Sequence, residues 1–288
     1  MRRILAILSI LFLQVACVNT STSTTPKLAQ TPKQVQPQSQ DSKSNASQAN
    51  YSAQSQGKVM VVGIKGQISK NALEKLKQSI GQVSGDPIPA GLIVLLDSPG
   101  GDGVAAMQIG RLLRKANAHI FVTGDCASAC IFVLASGVVR VAPSYSVGIH
   151  RGRVTMSDSN AKIIKEVDVN ESPQAKAALQ HFESQAPIYF AEMGMSLELF
   201  PLMQSHQLRG VYRLSSAEIS RTKLSGFESI YLQKRATFYS QQTGPYRMDE
   251  EELKSRTQKV ASRCSGFEKQ HTEFINCYKQ TLREPFLN

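Results

Sequence analysis

Three short segments of this 288-residue chain carry residue types that could perform acyl transfer. In order they are Asp97-Ser98-Pro99-Gly100-Gly101, then Gly124-Asp125-Cys126-Ala127-Ser128-Ala129-Cys130, then Val147-Gly148-Ile149-His150-Arg151. A serine at a strand-to-helix turn can expose its hydroxyl to a carbonyl carbon, and nearby backbone N–H groups can hold the oxyanion that forms. Gly100 and Gly101 could bring bare backbone close to a substrate, and the N–H of Ala129 follows the serine directly. The same residues also fit a structural role, with Ser128 as a helix N-cap and the glycines as a turn. His150, 22 residues after Ser128, shifts the balance, because a serine needs a base and histidine is the usual one.

These segments must be brought together by the elements around them. Val59 to Ile64, Leu92 to Leu96, Ile120 to Thr123, Val138 to Val141 and Val147 to Ile149 are short apolar runs that read as buried strands. Between them lie helical patterns. Ser69 caps one that runs through Leu73, Leu76 and Ile80. Val104 to Lys115 is a second, with Met107, Leu112 and Leu113 inward, and Ala127 to Ser136 predicts a buried third. Helices dominate from Pro173 to Met195. Strands alternating with helices imply a mainly parallel sheet covered on both faces. In such a sheet ligands bind beyond the carboxyl ends of the strands, where all three segments fall.

The formal charge is +11 and 41% of residues are hydrophobic, ordinary for a globular protein. No apolar run reaches the ~18 residues of a membrane-spanning helix. The basic residues are scattered rather than blocked, so they read as a solvated surface and not as a nucleic-acid site. No C-x-x-C or H-x-x-x-H pair is present, and neither a metal nor a cofactor is expected. In an oxidising compartment thiols pair. Cys264 and Cys277, 13 residues apart, are expected to join and tie down a helical appendage over 233–288. A Cys126–Cys130 bridge is also expected and would constrain the turn carrying Ser128. Against it, a four-residue spacing is poor for bridging if the segment is already helical at Cys126, and a catalytic thiol is the further option.

The chain opens with Arg2, Arg3, an apolar run from Ile4 to Leu13, and Ala16-Cys17. This pattern reads as an export signal over residues 1–17. Cys17 resembles the acylated cysteine of bacterial lipoproteins, which implies a periplasmic protein anchored to a membrane. Of the 39 residues 18–56, 24 are Ser, Thr, Asn or Gln, too polar to offset chain entropy, and they are expected to form a disordered tether.

Over about residues 58–232 the chain resembles the Clp protease family and its relatives in the ClpP/crotonase superfamily. The segment from Asp97 to Gly101 is similar to that family's N-S-P-G-G. Cys126-Ala127-Ser128-Ala129-Cys130 stands where the family has A-x-S-M-G, and Gly148-Ile149-His150-Arg151 resembles M-I-H-Q. Ser196-Leu197-Glu198 and Leu214-Ser215-Ser216-Ala217-Glu218 look like its later S-L-E and L-S-x-x-E stretches. The resemblance implies a ClpP/crotonase-like α/β domain over 57–232 and an exported serine peptidase acting on peptide or protein substrates. Ser128 would be nucleophile, His150 base, and the N–H groups of Gly100 or Gly101 and of Ala129 the oxyanion hole. Self-association into a homo-oligomer stays open. One departure matters: the family's catalytic Asp aligns near Met203, with no carboxylate between Leu199 and His206. Glu198 or a backbone carbonyl could stand in for it. Alternatively, the fold serves as an inactive binding or scaffold module. A Ser–Lys dyad, known in related membrane proteases, lacks an evident lysine here, and coenzyme A chemistry does not suit an exported chain.

Overall fold

The computed structural model describes residues 50–56, 59–83, 91–157, 163–206, 210–244, 247–264, 266 and 270–283. The export signal and residues 18–49 of the expected tether lie outside that set. The remaining tether residues, Asn50–Gln56, form β1, antiparallel to β2 (Val59–Lys65).

The next elements alternate. After β2 come α1 (Lys70–Val83), β3 (Gly91–Ser98), α2 (Gly103–Lys115), β4 (His119–Ala127), α3 (Cys130–Ala135), β5 (Val139–Val141) and β6 (Val147–Ile149). A small hairpin of β7 (Thr155–Ser157) and β8 (Ile163–Glu166) leads to the long α4 (Pro173–Glu192) and then α5 (Leu199–Ser205). The chain continues through β9 (Tyr212–Arg213), α6 (Ser216–Arg221), β10 (Gly226–Phe227), α7 (Ser229–Ser240), α8 (Glu250–Arg263) and α9 (His271–Leu282). Strands β2, β3, β4 and β5 are parallel neighbours, β6 is parallel to the far end of β4, and β1, β9 and β10 close the edges antiparallel. The expected mixed α/β architecture, a mainly parallel sheet flanked by helices, is the one observed. No helix among the described residues is long and apolar enough to cross a membrane.

The period of two along the strands divides the core. Met60, Val62 and Ile64 of β2 face the same side as Leu92, Val94 and Leu96 of β3 and Ile120 and Val122 of β4, beneath α1, α2 and α3. Their alternates Val61, Ile93, Leu95 and Phe121 face the other side and meet Val260, Phe274, Ile275, Tyr278 and Leu282 from α8 and α9. On the first side, α4 packs over α2 and α3. There the Tyr189 hydroxyl donates to the Phe132 carbonyl at 2.7 Å.

The C-terminal helices are therefore the second covering layer of the sheet. They fall with the rest of Asn45–Asn288 in one unit. The Cys264–Cys277 disulfide ties the end of α8 to the middle of α9, as expected. Asp249 caps α8 by accepting from the Glu252 N–H at 2.8 Å, and Glu250, Glu251 and Glu252 occupy its first turn, which suits the helix dipole.

Where this layer meets β4, the imidazole of His119 is enclosed. Its Nε2 lies 2.6 Å from the Tyr231 hydroxyl and its Nδ1 contacts the Tyr278 hydroxyl. Burial, with Arg235 nearby adding to it, pushes this histidine from 6.5 down to about 3. Protonation favours the unfolded chain, so His119 contributes its full stability above pH 6.5 and loses it as pH falls towards 3. The expected slope is about 1.4 kcal/mol per pH unit in that window. Urea unfolding at pH 7, 5 and 4 should show this slope in the wild type, and His119→Gln should lack that part of it.

Candidate functional site

The site is assembled by an irregularity in β4. Residues Leu96 and Ser98 of β3 pair with Val122 and Cys126 of β4, so β4 accommodates extra residues over that stretch. The Asp97 side chain fills the resulting bulge. Its Oδ1 accepts from the Asp125 N–H at 3.0 Å, and its Oδ2 lies 3.2 Å from Lys65 Nζ. Gly124 passes directly over this carboxylate, where a Cβ would stand 2.3 Å from Oδ1. Beyond the bulge β4 leaves the neighbourhood of β5 and pairs with β6, with Cys126 opposite Val147 and Ala127 opposite Gly148. Asp125 is held from the far side by the guanidinium of Arg213 on β9, with Nη2 at 3.1 Å from Oδ2.

Ser128 follows immediately and adopts a left-handed conformation, φ +55°. For a non-glycine residue this costs roughly 1–2 kcal/mol, which the surroundings must offset. Its N–H donates to Gly148 O at 2.9 Å, and its carbonyl accepts from the Ile131 N–H at 3.1 Å. The Cys126–Cys130 disulfide spans the turn, with Cα atoms 5.2 Å apart. The spacing objection fails because the segment is not helical at Cys126: β4 runs to Ala127 and α3 begins only at Cys130. The buried third helix is thus shorter than expected.

The glycine pair lies against this turn. A Cβ on Gly100 would meet Ser128 Cβ at 2.6 Å and Ala127 O at 2.7 Å, and the residue sits at φ +105°. The Gly100 N–H donates to the buried Ser98 hydroxyl at 3.1 Å. Gly101 pairs with Ile68 as an isolated bridge, in which Ile68 N–H donates to Gly100 O and Asp102 N–H to Ile68 O. The N–H groups of Gly101 and Ala129 donate to no acceptor among the described residues. Of the two glycine donors expected, Gly101 therefore keeps its N–H available and Gly100 does not.

His150 directly follows β6, the strand paired with the end of β4, and lies two residues beyond the Gly148 carbonyl that receives the Ser128 N–H. Both residues are half-buried at one sheet edge. Its Nδ1 lies 2.6 Å from the Arg151 carbonyl, which makes Nδ1–H the donor and leaves Nε2 as the basic nitrogen. Burial lowers its pKa. The Arg151 carbonyl opposes that shift, Arg153 adds to it and Glu166 offsets it. The Arg151 N–H donates to His206 O at 3.4 Å, which ties the base to the end of α5. Glu198, the expected stand-in for the missing acid, precedes α5 and gives its carboxylate to Arg221 at 3.1 Å. Met203 is buried. Cys17 lies outside the described residues.

Three features of the site escaped the sequence reading, namely the Asp97 brace, the Asp125–Arg213 pair and Phe182, while the backbone carbonyl expected as one possible stand-in for the acid is that of Arg151. The Phe182 ring of α4 stacks edge-on against Phe132 and lies against Gly103 and Gly152, residues that follow shortly after each of the three chemistry-bearing stretches. Glycines at 103 and 152 were the available signal for a ring lying over the backbone there.

No known protein-family model matches the chain, and no curated protein matches it. Among solved structures it is similar to a mutant of a membrane-bound stomatin-specific protease, at 20% identity and a TM-score of 0.43, over 62% of this chain and 83% of the other.

The contact between Gly100 and Ser128 leaves no room for a methyl group. Gly100→Ala should destabilise the protein by about 1–3 kcal/mol through backbone strain alone, with the clash adding to it. The melting temperature should fall by about 2–4 °C per kcal/mol. An unchanged melt would mean that the turn does not pack as described.

Proposed function

We propose that this chain is a serine hydrolase, most plainly a peptidase, in which Ser128 is the nucleophile and His150 the base. The observation that carries the reading is the strained Ser128 turn. It follows the strand end that pairs with β6, the strand directly before His150, and is followed by the unengaged N–H of Ala129. In the proposed reaction Ser128 Oγ attacks the acyl carbon, and its proton passes to Nε2 of His150. The N–H groups of Ala129 and Gly101 receive the oxyanion, a contribution of typically ~3–4 kcal/mol per donor in related chemistry. The protonated imidazole then gives its proton to the leaving group, and water completes the cycle through the acyl-enzyme. The Arg151 carbonyl keeps His150 in the required tautomer, the task a carboxylate performs in a triad. The resemblance of residues 58–232 to Clp proteases supports peptide or protein substrates.

The position of the chain in the cell belongs to the same proposal. Two disulfides suit an exported protein, and acylation of Cys17 would hold it at a bacterial membrane. A homo-oligomer is compatible with the family resemblance. A second reading, a non-catalytic binding module, is favoured by one observation: Nδ1 of His150 meets a neutral carbonyl rather than a carboxylate.

Labelling with a fluorophosphonate separates the two. Wild type should be modified at Ser128, and Ser128→Ala should not be. Labelling of neither protein would support the binding module. Because the His150 pKa lies below 6.5, the labelling rate should rise with pH through a midpoint under 6.5 and be level above it. Turnover should be about 10²–10⁴-fold below that of a full triad, scaled from the loss of the acid in triad enzymes. Glu198→Gln should leave the rate unchanged, and a large loss would make Glu198 the third member after all.

A further inference from the structure

The Cys126–Cys130 disulfide has a place that stability alone does not require. Cys126 is the penultimate residue of β4, Cys130 is the first of α3, and only the Ser128 turn lies between them. Both cysteines are fully buried. Cys126 is already fixed by its N–H to Ser146 O at 2.9 Å and by its pairing with Ser98 and Val147. The bridge therefore anchors the helix side of the turn to a strand position that cannot shift. Ser128 donates one backbone bond, to Gly148 O, and accepts one, from the Ile131 N–H, and its left-handed conformation is disfavoured for any residue with a Cβ. Without the bridge, the turn is held by two hydrogen bonds and the contact with Gly100.

We propose that oxidation of Cys126 and Cys130 to their disulfide is what positions Ser128 for reaction, so that the protein becomes reactive only after this pair has been oxidised. The inference rests on the hydrolase reading of Ser128. The two cysteines are positioning residues and touch no substrate. The step is a thiol–disulfide exchange: two thiols transfer two electrons and two protons to a disulfide oxidant, which leaves as a dithiol. Since both sulfurs are buried, an attacking thiolate reaches neither one in the folded protein. The bond is set as the chain folds and is not cycled afterwards. Such a chain stays unreactive in a reducing compartment and gains its reactivity in an oxidising one.

The sequence supplies a direct assay. No Lys or Arg lies between Lys115 and Arg140, so a single tryptic peptide, residues 116–140, carries Cys126, Ser128 and Cys130 together. Wild type is refolded with a limiting amount of oxidised glutathione and labelled with a fluorophosphonate. Free thiols are then alkylated, and the mass of this peptide reports both events on the same molecule. The phosphonylated peptide should occur in the disulfide form, with the dithiol form labelled roughly 10²-fold more slowly, as expected for a misplaced nucleophile. Equal labelling of both forms would overturn the proposal while leaving Ser128 a nucleophile. Absence of label from both would overturn the hydrolase reading and this inference with it. Cys126→Ala with Cys130→Ala keeps the Cys264–Cys277 bond and isolates the effect. Its maximal labelling rate should fall while the half-saturating probe concentration and the circular dichroism stay as in wild type. A purely structural bridge would instead lower the melting temperature and leave the maximal rate of the folded fraction unchanged.

Discussion

The hydrogen bond from the Asp125 N–H to the Asp97 carboxylate is the constraint on which the site depends. A parallel strand as long as β4 would ordinarily keep one register along its whole length. Here the extra residues between Val122 and Cys126 need a partner for their backbone, and the side chain of Asp97 supplies it from the neighbouring strand. The strand thereby changes neighbours, from β5 at His119–Phe121 to β6 at Cys126–Ala127. That change pairs the end of β4 with the strand that leads into His150, and the Ser128 N–H with the Gly148 carbonyl. Lys65 and Arg213 stand on either side of the bulge with ion pairs to Asp97 and Asp125. Such partly exposed pairs contribute little stability singly, but together they fix which way two acidic side chains point.

Much of this architecture was legible in the sequence, because the strands of a buried parallel sheet must be short continuous apolar runs. Each run recognised as a strand is one. What the runs do not reveal is which elements cover the second face. Val61, Ile93, Leu95 and Phe121 alternate with the residues facing α1 to α3, and they require a second cover. That cover was read as an appendage because its composition is polar. Its signal was present all the same: Phe274, Ile275, Tyr278 and Leu282 recur at helical spacing in α9, with Val260 and Cys264 four apart across the end of α8. A polar helix with one apolar stripe belongs against a sheet when the sheet has a face left over.

The candidate site was legible in part, and the division follows the chemistry of the groups. Side chains that act through their own atoms, Ser128 and His150, could be named from residue type and from their positions after strands. Groups that act through the main chain could be narrowed to a few positions but not settled by residue type. The Arg151 carbonyl on His150, the Ser98 hydroxyl occupying the Gly100 N–H, and the N–H groups of Gly101 and Ala129 depend on where the backbone turns. Any residue other than proline could provide them. The choice between Gly100 and Gly101 as donor shows this well. Both glycines fit the sequence reading equally, and only the hydrogen bond to Ser98 separates them.

The replacement of a carboxylate by a carbonyl bears on what kind of hydrolase the proposed reaction describes. Either acceptor can hold Nδ1–H and leave Nε2 free, so the tautomer and ring orientation are equally served. They differ once the imidazole takes the serine proton. A carboxylate meets the new positive charge with a full negative one, whereas the Arg151 carbonyl meets it with a dipole, in surroundings that already disfavour the cation. The penalty falls on the steps that need imidazolium. Esters and other activated acyl groups, whose leaving groups depart with little help, feel it least. Amides, whose nitrogen must be protonated to leave, feel it most. In the proposed reaction the intact backbone geometry and the missing charge therefore act on different steps: the first governs whether Ser128 can be acylated at all, and the second governs which acyl donors are competent.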